Sequence, residues 1–202
     1  MVRFRTLVAF VTVAHVAFSG FGCRSAVGPS PVVCSGTYPS QSETPYVLPW
    51  PVGQAFVFSQ GNCGAGPHAA GTLVQYAYDI LMPIGSLILA ARSGVVLLVE
   101  ERYVDGTRIP GQENYINIRH DDGTIAGYVH LTRDGALVEV GQSIERGQPI
   151  GLSGDTGSSA APHLHFHVQA GPDLGTVPVT FRNTEPHPRG LREGQLYAAL
   201  PW

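Results

Sequence analysis

Three histidines alternate with apolar residues in the segment 161–168, which reads Ala-Pro-His-Leu-His-Phe-His-Val. Side chains of a β-strand alternate between its two faces, so His163, His165 and His167 would share one face of a strand. Neighbouring imidazoles on that face would lie ~6.5–7 Å apart, which lets one bind a metal while the next contacts the open side of that metal. The pattern predicts a strand that packs on a core with one face and carries chemistry on the other.

Zinc is the metal that such a strand favours, because a catalytic zinc takes three nitrogen or oxygen ligands and keeps a fourth position open. Asp79 is a candidate ligand, since it lies in the otherwise apolar segment 76–82, where a charged side chain is costly unless it is paired or bound to a metal. His68 lies upstream of it, and His130 follows the apolar residues 127–129. We expect the remaining ligands of one zinc ion to come from this set.

The elements that position these residues are predicted to be short strands. The chain has 202 residues, 44% of them apolar, which is enough for one domain with a buried core. Its apolar runs are rich in Val, Ile, Tyr and Phe, are separated by glycine-containing turns, and lack a 3.6-residue period. We therefore predict an all-β fold of mainly antiparallel sheets, with strands at 55–59, 74–81, 87–91, 95–101, 115–119, 125–131, 149–152 and 163–169.

The two ends of the chain are predicted to differ from the domain between them. Residues 1–22 combine early arginines, an apolar run and small residues, which is typical of a signal peptide and predicts export to the periplasm or cell envelope. Residues 23–49 are rich in Pro and Ser and are expected to form a tether. The folded domain is predicted over 50–172, followed by an irregular C-terminal extension, 173–202, that wraps the surface.

The chain contains three cysteines, and an exported compartment permits disulfides. Cys23 stands in an imperfect lipoprotein box, which leaves two outcomes open: a membrane anchor through a lipid on Cys23, or a cleaved soluble form. In either case Cys34 and Cys63 remain. We predict that these two form a disulfide joining the tether to the domain; the alternative is two free buried thiols.

Five sequence blocks between Gln60 and Gln169 resemble, in order, those of the lysostaphin/LytM-like zinc metalloendopeptidases. They are 76–96, 114–123, 128–131, 140–151, and 154–158 together with 162–166. The resemblance implies a LytM-like domain of the duplicated hybrid motif type, with Zn²⁺ as cofactor, that hydrolyses peptide bonds in peptidoglycan cross-links or stem peptides. We expect a monomer with peptidoglycan peptides as partner. The formal net charge of −3 gives no electrostatic support for a nucleic-acid partner.

Carried over by position, the resemblance implies Asp79 and His165 as zinc ligands. It implies His130 and His163 as catalytic histidines that do not bind the metal. Which of these two acts as base and which as acid stays open. His167 stands where the family usually has Glu or Gln, and we expect it either behind the metal ligands or at the surface.

The first histidine ligand departs from the family pattern. The commonest spacing, His-x-x-x-Asp, would put it at position 75, where this chain has Gln75. An amide is a poor zinc ligand beside imidazole. We therefore assign His68, eleven residues before Asp79, and expect Gly71 to let the intervening loop fold back.

Two other functions and one other chemistry compete with this interpretation. A LytM-like domain that has lost its metal could bind and activate a cell-wall amidase; such domains usually lose several ligands or catalytic histidines, whereas here only position 75 departs from the pattern. A structural or small-ligand module with an incidental histidine patch would not bring His68, Asp79 and His165 together. Residues 155–158, Asp-Thr-Gly-Ser, match the active-site loop of aspartic proteases, but that chemistry needs two carboxylates that share a proton.

Overall fold

The computed structural model describes residues 36–202 and consists of short strands joined by turns and loops. No α-helix occurs in this part of the chain, and a single 3₁₀ turn is formed by Gly66–His68. The strands are β1 Ala55–Gln60, β2 Tyr78–Leu81, β3 Leu87–Leu89, β4 Gly94–Glu100, β5 Tyr115–Arg119, β6 Ile125–Val129, β7 Leu131–Ala136, β8 Ser143–Ile144, β9 Pro149–Ser153, β10 His163–Gln169 and β11 Leu196–Ala198.

The strands form two sheets. The larger sheet has eight strands in the order β11-β1-β2-β10-β6-β5-β4-β8, and the smaller has three in the order β3-β9-β7. Every pairing between neighbouring strands is antiparallel. The predicted all-β, mainly antiparallel fold is therefore confirmed. β10 lies in the middle of the larger sheet, between β2 and β6.

The central strand β10 shows the predicted division between its two faces. Leu164, Phe166 and Val168 are fully buried in the hydrophobic core. The side chains of His163 and His165 point away from that core and remain partly accessible. Burial of the apolar face fixes the register of the strand, because a one-residue slip would bury the histidines instead.

The predicted strand 125–131 is broken at His130, which has a left-handed backbone conformation with φ of 65°. Such a conformation cannot continue an extended strand. β6 therefore ends at Val129 in the larger sheet, and β7 begins at Leu131 and pairs with β9 in the smaller sheet. His130 is thus the residue at which the chain crosses from one sheet to the other.

Ordered packing begins before Trp50, which corrects the predicted end of the tether at residue 49. Thr44 and residues 46–48 are buried. The Thr44 hydroxyl donates a hydrogen bond to the carbonyl of Thr180 (2.9 Å), and the backbone N–H of Leu48 donates to the side chain of Asn183 (2.7 Å). Composition alone misplaced this boundary, because the segment is held by long-range contacts rather than by a pattern of its own.

The C-terminal segment 173–202 is not merely a surface wrapping, which corrects the prediction made for it. Its strand β11 pairs with β1 at the edge of the larger sheet. Phe181, Leu191 and Tyr197 from this segment are buried in the core. The extension is therefore part of the folded domain, and the predicted domain end at residue 172 is too early.

The predicted signal peptide, 1–22, lies outside the described residues, as do Cys23 and Cys34. Within residues 36–202, no helix has the length and apolar character needed to cross a membrane.

Candidate metal centre and flanking histidines

Strand register brings the sequence-predicted site residues together. In the β2–β10 pair, Asp79 stands directly opposite His165. On the other side of β10, His165 is paired with Val129, the residue before His130. Directly opposed residues in an antiparallel pair have Cβ atoms ~4.5–5.5 Å apart, so their side chains can bind the same metal ion. His68 reaches the same place from the 3₁₀ turn in the loop between β1 and β2.

His68, Asp79 and His165 converge on one point. His165 Nδ1 lies 2.8 Å from Asp79 Oδ1, and His68 Nε2 lies 3.5 Å from the same oxygen and 3.3 Å from His165 Nδ1. Three ligands of a tetrahedral zinc at 2.0–2.2 Å would be about 3.3–3.6 Å from one another, and two of the three separations fall in that range. Two imidazoles and one carboxylate are also a zinc-type donor set. This group can hold one divalent metal ion.

The loop that carries His68 is closed by hydrogen bonds of its own. Gly71 has a φ of 88°, and its N–H donates to Gln75 Oε1 at 2.8 Å. The Thr72 hydroxyl donates to the carbonyl of Pro67, also at 2.8 Å. Gln75 therefore uses its side-chain oxygen to close the loop, and His68, which is fully buried, is the residue that faces the cluster.

His163 and His130 stand beside this cluster, with ring centroids 4.5 Å apart. His163 Nδ1 donates a hydrogen bond to the carbonyl of Ala161 (2.8 Å), and His130 Nδ1 donates to the carbonyl of Thr156 (2.7 Å). Because a carbonyl can only accept, the neutral form of each ring carries its proton on Nδ1 and leaves Nε2 unprotonated. His163 Nε2 lies 3.7 Å from Asp79 Oδ1. Both rings can thus take up a proton at Nε2.

Two buried residues that sequence reasoning did not assign hold His130 in place. Thr156 accepts a hydrogen bond from the backbone N–H of Asn114 (2.9 Å) and donates one to the carbonyl of Leu131 (2.9 Å). The Asn114 side chain also donates to that carbonyl, at 3.2 Å. The Asp-Thr-Gly-Ser segment that resembles an aspartic-protease loop therefore orients an imidazole through its threonine.

The cluster lowers the pKa of both its carboxylate and its buried imidazoles, but for different reasons. Burial lowers the pKa of His68. Burial, reinforced by the neighbouring His163, lowers the pKa of His130 to about 4. Burial would raise the pKa of Asp79, but its hydrogen bond with His165 and the nearby imidazoles outweigh that effect, so its pKa lies below the usual value. Near neutral pH the site combines an ionised Asp79 with a neutral His68, as metal binding requires of these two ligands, and His130 beside them is neutral as well.

His167 is half-buried, and its ring contacts that of His165. Its Nδ1 lies 3.0 Å from His165 Nε2, the ring nitrogen on the far side of His165 from Asp79. Burial, reinforced by His165, lowers the pKa of His167 to about 3.

A cavity of about 740 Å³ opens in front of the cluster. Two acidic side chains, Glu113 and Glu193, stand among its lining residues. All the residues predicted for the site line it as well: His68, Asp79, His130, His163 and His165. Glu113 accepts a hydrogen bond from the backbone N–H of Ser158 (3.0 Å). This bond holds the loop after β9, which forms one wall of the cavity.

Cys63, five residues before His68, is disulfide-bonded. Its predicted partner, Cys34, lies outside the described residues, so the pairing stays a prediction. We expect Cys63→Ser to lower the free energy of unfolding by about 2–5 kcal/mol, because the cross-link restricts the unfolded chain. Denaturant unfolding with and without a thiol reductant measures this. Cys34→Ser should match Cys63→Ser and Cys23→Ser should match the unaltered protein; the opposite order would contradict the pairing.

The fold and the site together define an antiparallel β-domain with a candidate metal centre of two histidines and one aspartate, flanked by two further histidines. Comparison with known proteins names the family. The sequence profile of peptidase family M23 matches residues 74–179, more than half of the chain. The chain belongs to peptidase family M23. The match includes Asp79, His130, His163 and His165 and begins after His68.

Curated relatives match about half of the chain. The peptidoglycan DD-endopeptidase ShyA of Vibrio cholerae is 38% identical over 90 residues, which cover 45% of this chain and 19% of the relative. Lysostaphin of Staphylococcus staphylolyticus is 37% identical over 106 residues, covering 51% of this chain and 20% of the relative. The chain thus spans about a fifth of the length of these curated relatives.

A solved structure shares the fold. The catalytic domain of a point mutant of the prophage-encoded M23 protein EnpA from Enterococcus faecalis aligns with a TM-score of 0.50 and 24% sequence identity. The alignment covers 65% of this chain and 94% of that domain.

Proposed function

We propose that this protein is an exported zinc metalloendopeptidase that hydrolyses peptide bonds in the cross-links or stem peptides of peptidoglycan. The observation that carries the proposal is the clustering of His68, Asp79 and His165, whose ligand atoms lie 2.8–3.5 Å from one another, in the lining of a cavity that His130 and His163 also line. Relatives named as a peptidoglycan endopeptidase and as lysostaphin support this substrate class.

His68 Nε2, Asp79 Oδ1 and His165 Nδ1 would hold the zinc ion. When bound there, zinc supplies a Lewis acid that polarises a carbonyl and lowers the pKa of water to about 7. The fit rests on the donor set and on the separations of 2.8, 3.3 and 3.5 Å between these atoms.

His130 and His163 would move the protons of the reaction. Each holds its Nδ1–H on a backbone carbonyl and keeps Nε2 free, so each can accept a proton from the attacking water. Once protonated, the same ring can stabilise the oxyanion or protonate the leaving amine. The backbone anchors fix both rings before substrate binds, which reduces the reorganisation needed during the reaction.

The alternative function is a LytM-like regulator that binds and activates a cell-wall amidase without cleaving peptide bonds itself. The glutamine at position 75 favours it. Against it stand the buried His68, which fills the gap in the donor set, and the two flanking histidines with their fixed tautomers. A regulator has no need of either feature. Zinc content and peptidoglycan digestion by the purified protein separate the two functions.

The unusual ligand gives a direct test. Loss of a residue that hydrogen-bonds to a metal ligand typically weakens metal binding by about 10- to 100-fold. We expect His68→Ala to weaken zinc binding by more than that, because it removes a ligand itself. Gln75→Ala is the matched control and should keep zinc, since it removes only a hydrogen bond that closes the loop. Competition with a chromophoric chelator measures both affinities. Loss of zinc from Gln75→Ala with retention in His68→Ala would reverse the assignment.

We also propose that residues 1–22 direct export and that Cys23 either carries a lipid or is lost with a cleaved form. Mass spectrometry of the protein recovered from the cell envelope distinguishes the two outcomes. An unprocessed N-terminus in the cytoplasm would contradict export.

A further inference from the structure

Both ring nitrogens of His165, a ligand of the proposed metal centre, contact other side chains. Its Nδ1 faces Asp79 and His68, while its Nε2 lies 3.0 Å from Nδ1 of His167. The two rings have centroids 5.2 Å apart and are inclined at 70°, so they meet edge to face and are not stacked. His167 contacts the ligand and not the cavity in which substrate would lie, since it is absent from the residues that line this cavity.

We propose that His167 is a positioning residue that accepts the Nε2–H of His165 and thereby keeps the Nδ1 lone pair of His165 directed at the metal position. This inference rests on the proposed zinc site. A metal-binding imidazole commonly donates its other N–H to a carboxylate, carbonyl or water, which fixes both its tautomer and its ring orientation. Here an imidazole takes the place of that acceptor.

The neighbouring strand β6 leaves the space that the His167 ring occupies. His167 is paired with Gly127 of β6, and a Cβ atom at position 127 would come within 2.6 Å of the His167 ring. The ring therefore lies over a residue that has no side chain. A larger residue at position 127 would force the His167 ring to shift, and we expect that shift to weaken its contact with His165.

An imidazole at this position can also form a hydrogen bond with His165 when no metal is bound. Without metal, the 2.8 Å contact between His165 and Asp79 calls for a proton on His165 Nδ1, and Nε2 then needs a donor. Neutral imidazole can act as donor or acceptor, depending on the nitrogen that carries the proton. His167 can thus pair with His165 in both tautomers, whereas a carboxylate could pair only with the metal-bound one.

Zinc affinity across a matched series tests the inference. His167→Phe keeps a ring of similar shape but no acceptor, and His167→Gln restores an acceptor without the ring. We expect His167→Phe to bind zinc about 10- to 100-fold more weakly than the unaltered protein and His167→Gln to recover most of that loss. If packing alone mattered, His167→Phe would keep its affinity and His167→Gln would lose it, which would overturn the inference.

Gly127→Ala supplies an independent test through a double-mutant cycle. In the unaltered background it should weaken zinc binding as His167→Phe does, because the added methyl displaces the ring. In a His167→Ala background it should have little further effect, because the methyl then meets space. Equal losses in the two backgrounds would contradict the contact. Thermal unfolding in chelator shows whether each variant remains folded without zinc.

Nitrogen NMR of the zinc-loaded protein gives a readout that is independent of affinity and activity. We expect His165 to carry its proton on Nε2 and His167 to have an unprotonated Nδ1. A protonated His167 Nδ1 in that state would overturn the inference. Failure of the unaltered protein to bind zinc would overturn the proposed function as well, whereas unchanged affinity in His167→Phe would overturn this inference alone.

Discussion

Replacing His165 by alanine should abolish both zinc binding and cleavage of peptidoglycan. His165 lies at the centre of the cluster: its Nδ1 is 2.8 Å from Asp79 and 3.3 Å from His68, and its ring also lies beside that of His130. Its loss removes a ligand and leaves the carboxylate of Asp79 without its nearest partner. Metal analysis of the purified variant and digestion of purified peptidoglycan measure the two effects.

Gln75→Ala is the control for this experiment, because the Gln75 side chain hydrogen-bonds to the backbone N–H of Gly71, in the loop that carries His68. It should retain both zinc and activity. Stoichiometric zinc in His165→Ala would show that the metal is held elsewhere.

Changing His163 or His130 should leave zinc bound and lower turnover by about 10²-fold or more, the usual effect of losing a general acid or base. For His163 the variant is alanine. For His130 it is asparagine, because residue 130 has a φ of 65° and asparagine tolerates that conformation better than alanine. Zinc content and initial rates of peptidoglycan digestion, measured on the same preparations, separate metal binding from catalysis.

The contrast between neighbouring histidines of β10 is the sharpest part of this prediction. His163 Nε2 is 3.7 Å from Asp79 Oδ1, so it stands close enough to the metal position to be confused with a ligand. If His163→Ala lost zinc and His165→Ala kept it, the two assignments would have to be exchanged. Unchanged turnover in both His163→Ala and His130→Asn would contradict the proton-transfer roles.

Strand periodicity was sufficient to predict the central features of the fold. The alternation in β10 predicted which side chains enter the core, because the pattern that puts Leu164, Phe166 and Val168 on one face lies within that strand. The break at His130 was not predictable in this way. It depends on a left-handed residue between two runs that are equally apolar, and on the pairing of Leu131 with a distant strand.

The site was predictable where its residues lie on regular strands, and less so where loops supply them. Asp79 and His165 face each other because of strand register. His68 had to be inferred from a missing ligand at Gln75, and its position depends on the loop closed by Gly71. The anchoring of His130 by the Thr156 carbonyl is a tertiary contact between residues 26 positions apart, and no local pattern indicates it.

The most direct test of the account is digestion of purified peptidoglycan by protein of known zinc content. We predict one zinc per chain, release of fragments with a new free amino group from a cleaved peptide bond, loss of cleavage on removal of zinc by a chelator, and recovery when zinc is returned. A folded, zinc-loaded protein that leaves all peptide bonds intact would contradict the proposed endopeptidase, and a protein without zinc that activates an amidase would establish the regulator in its place.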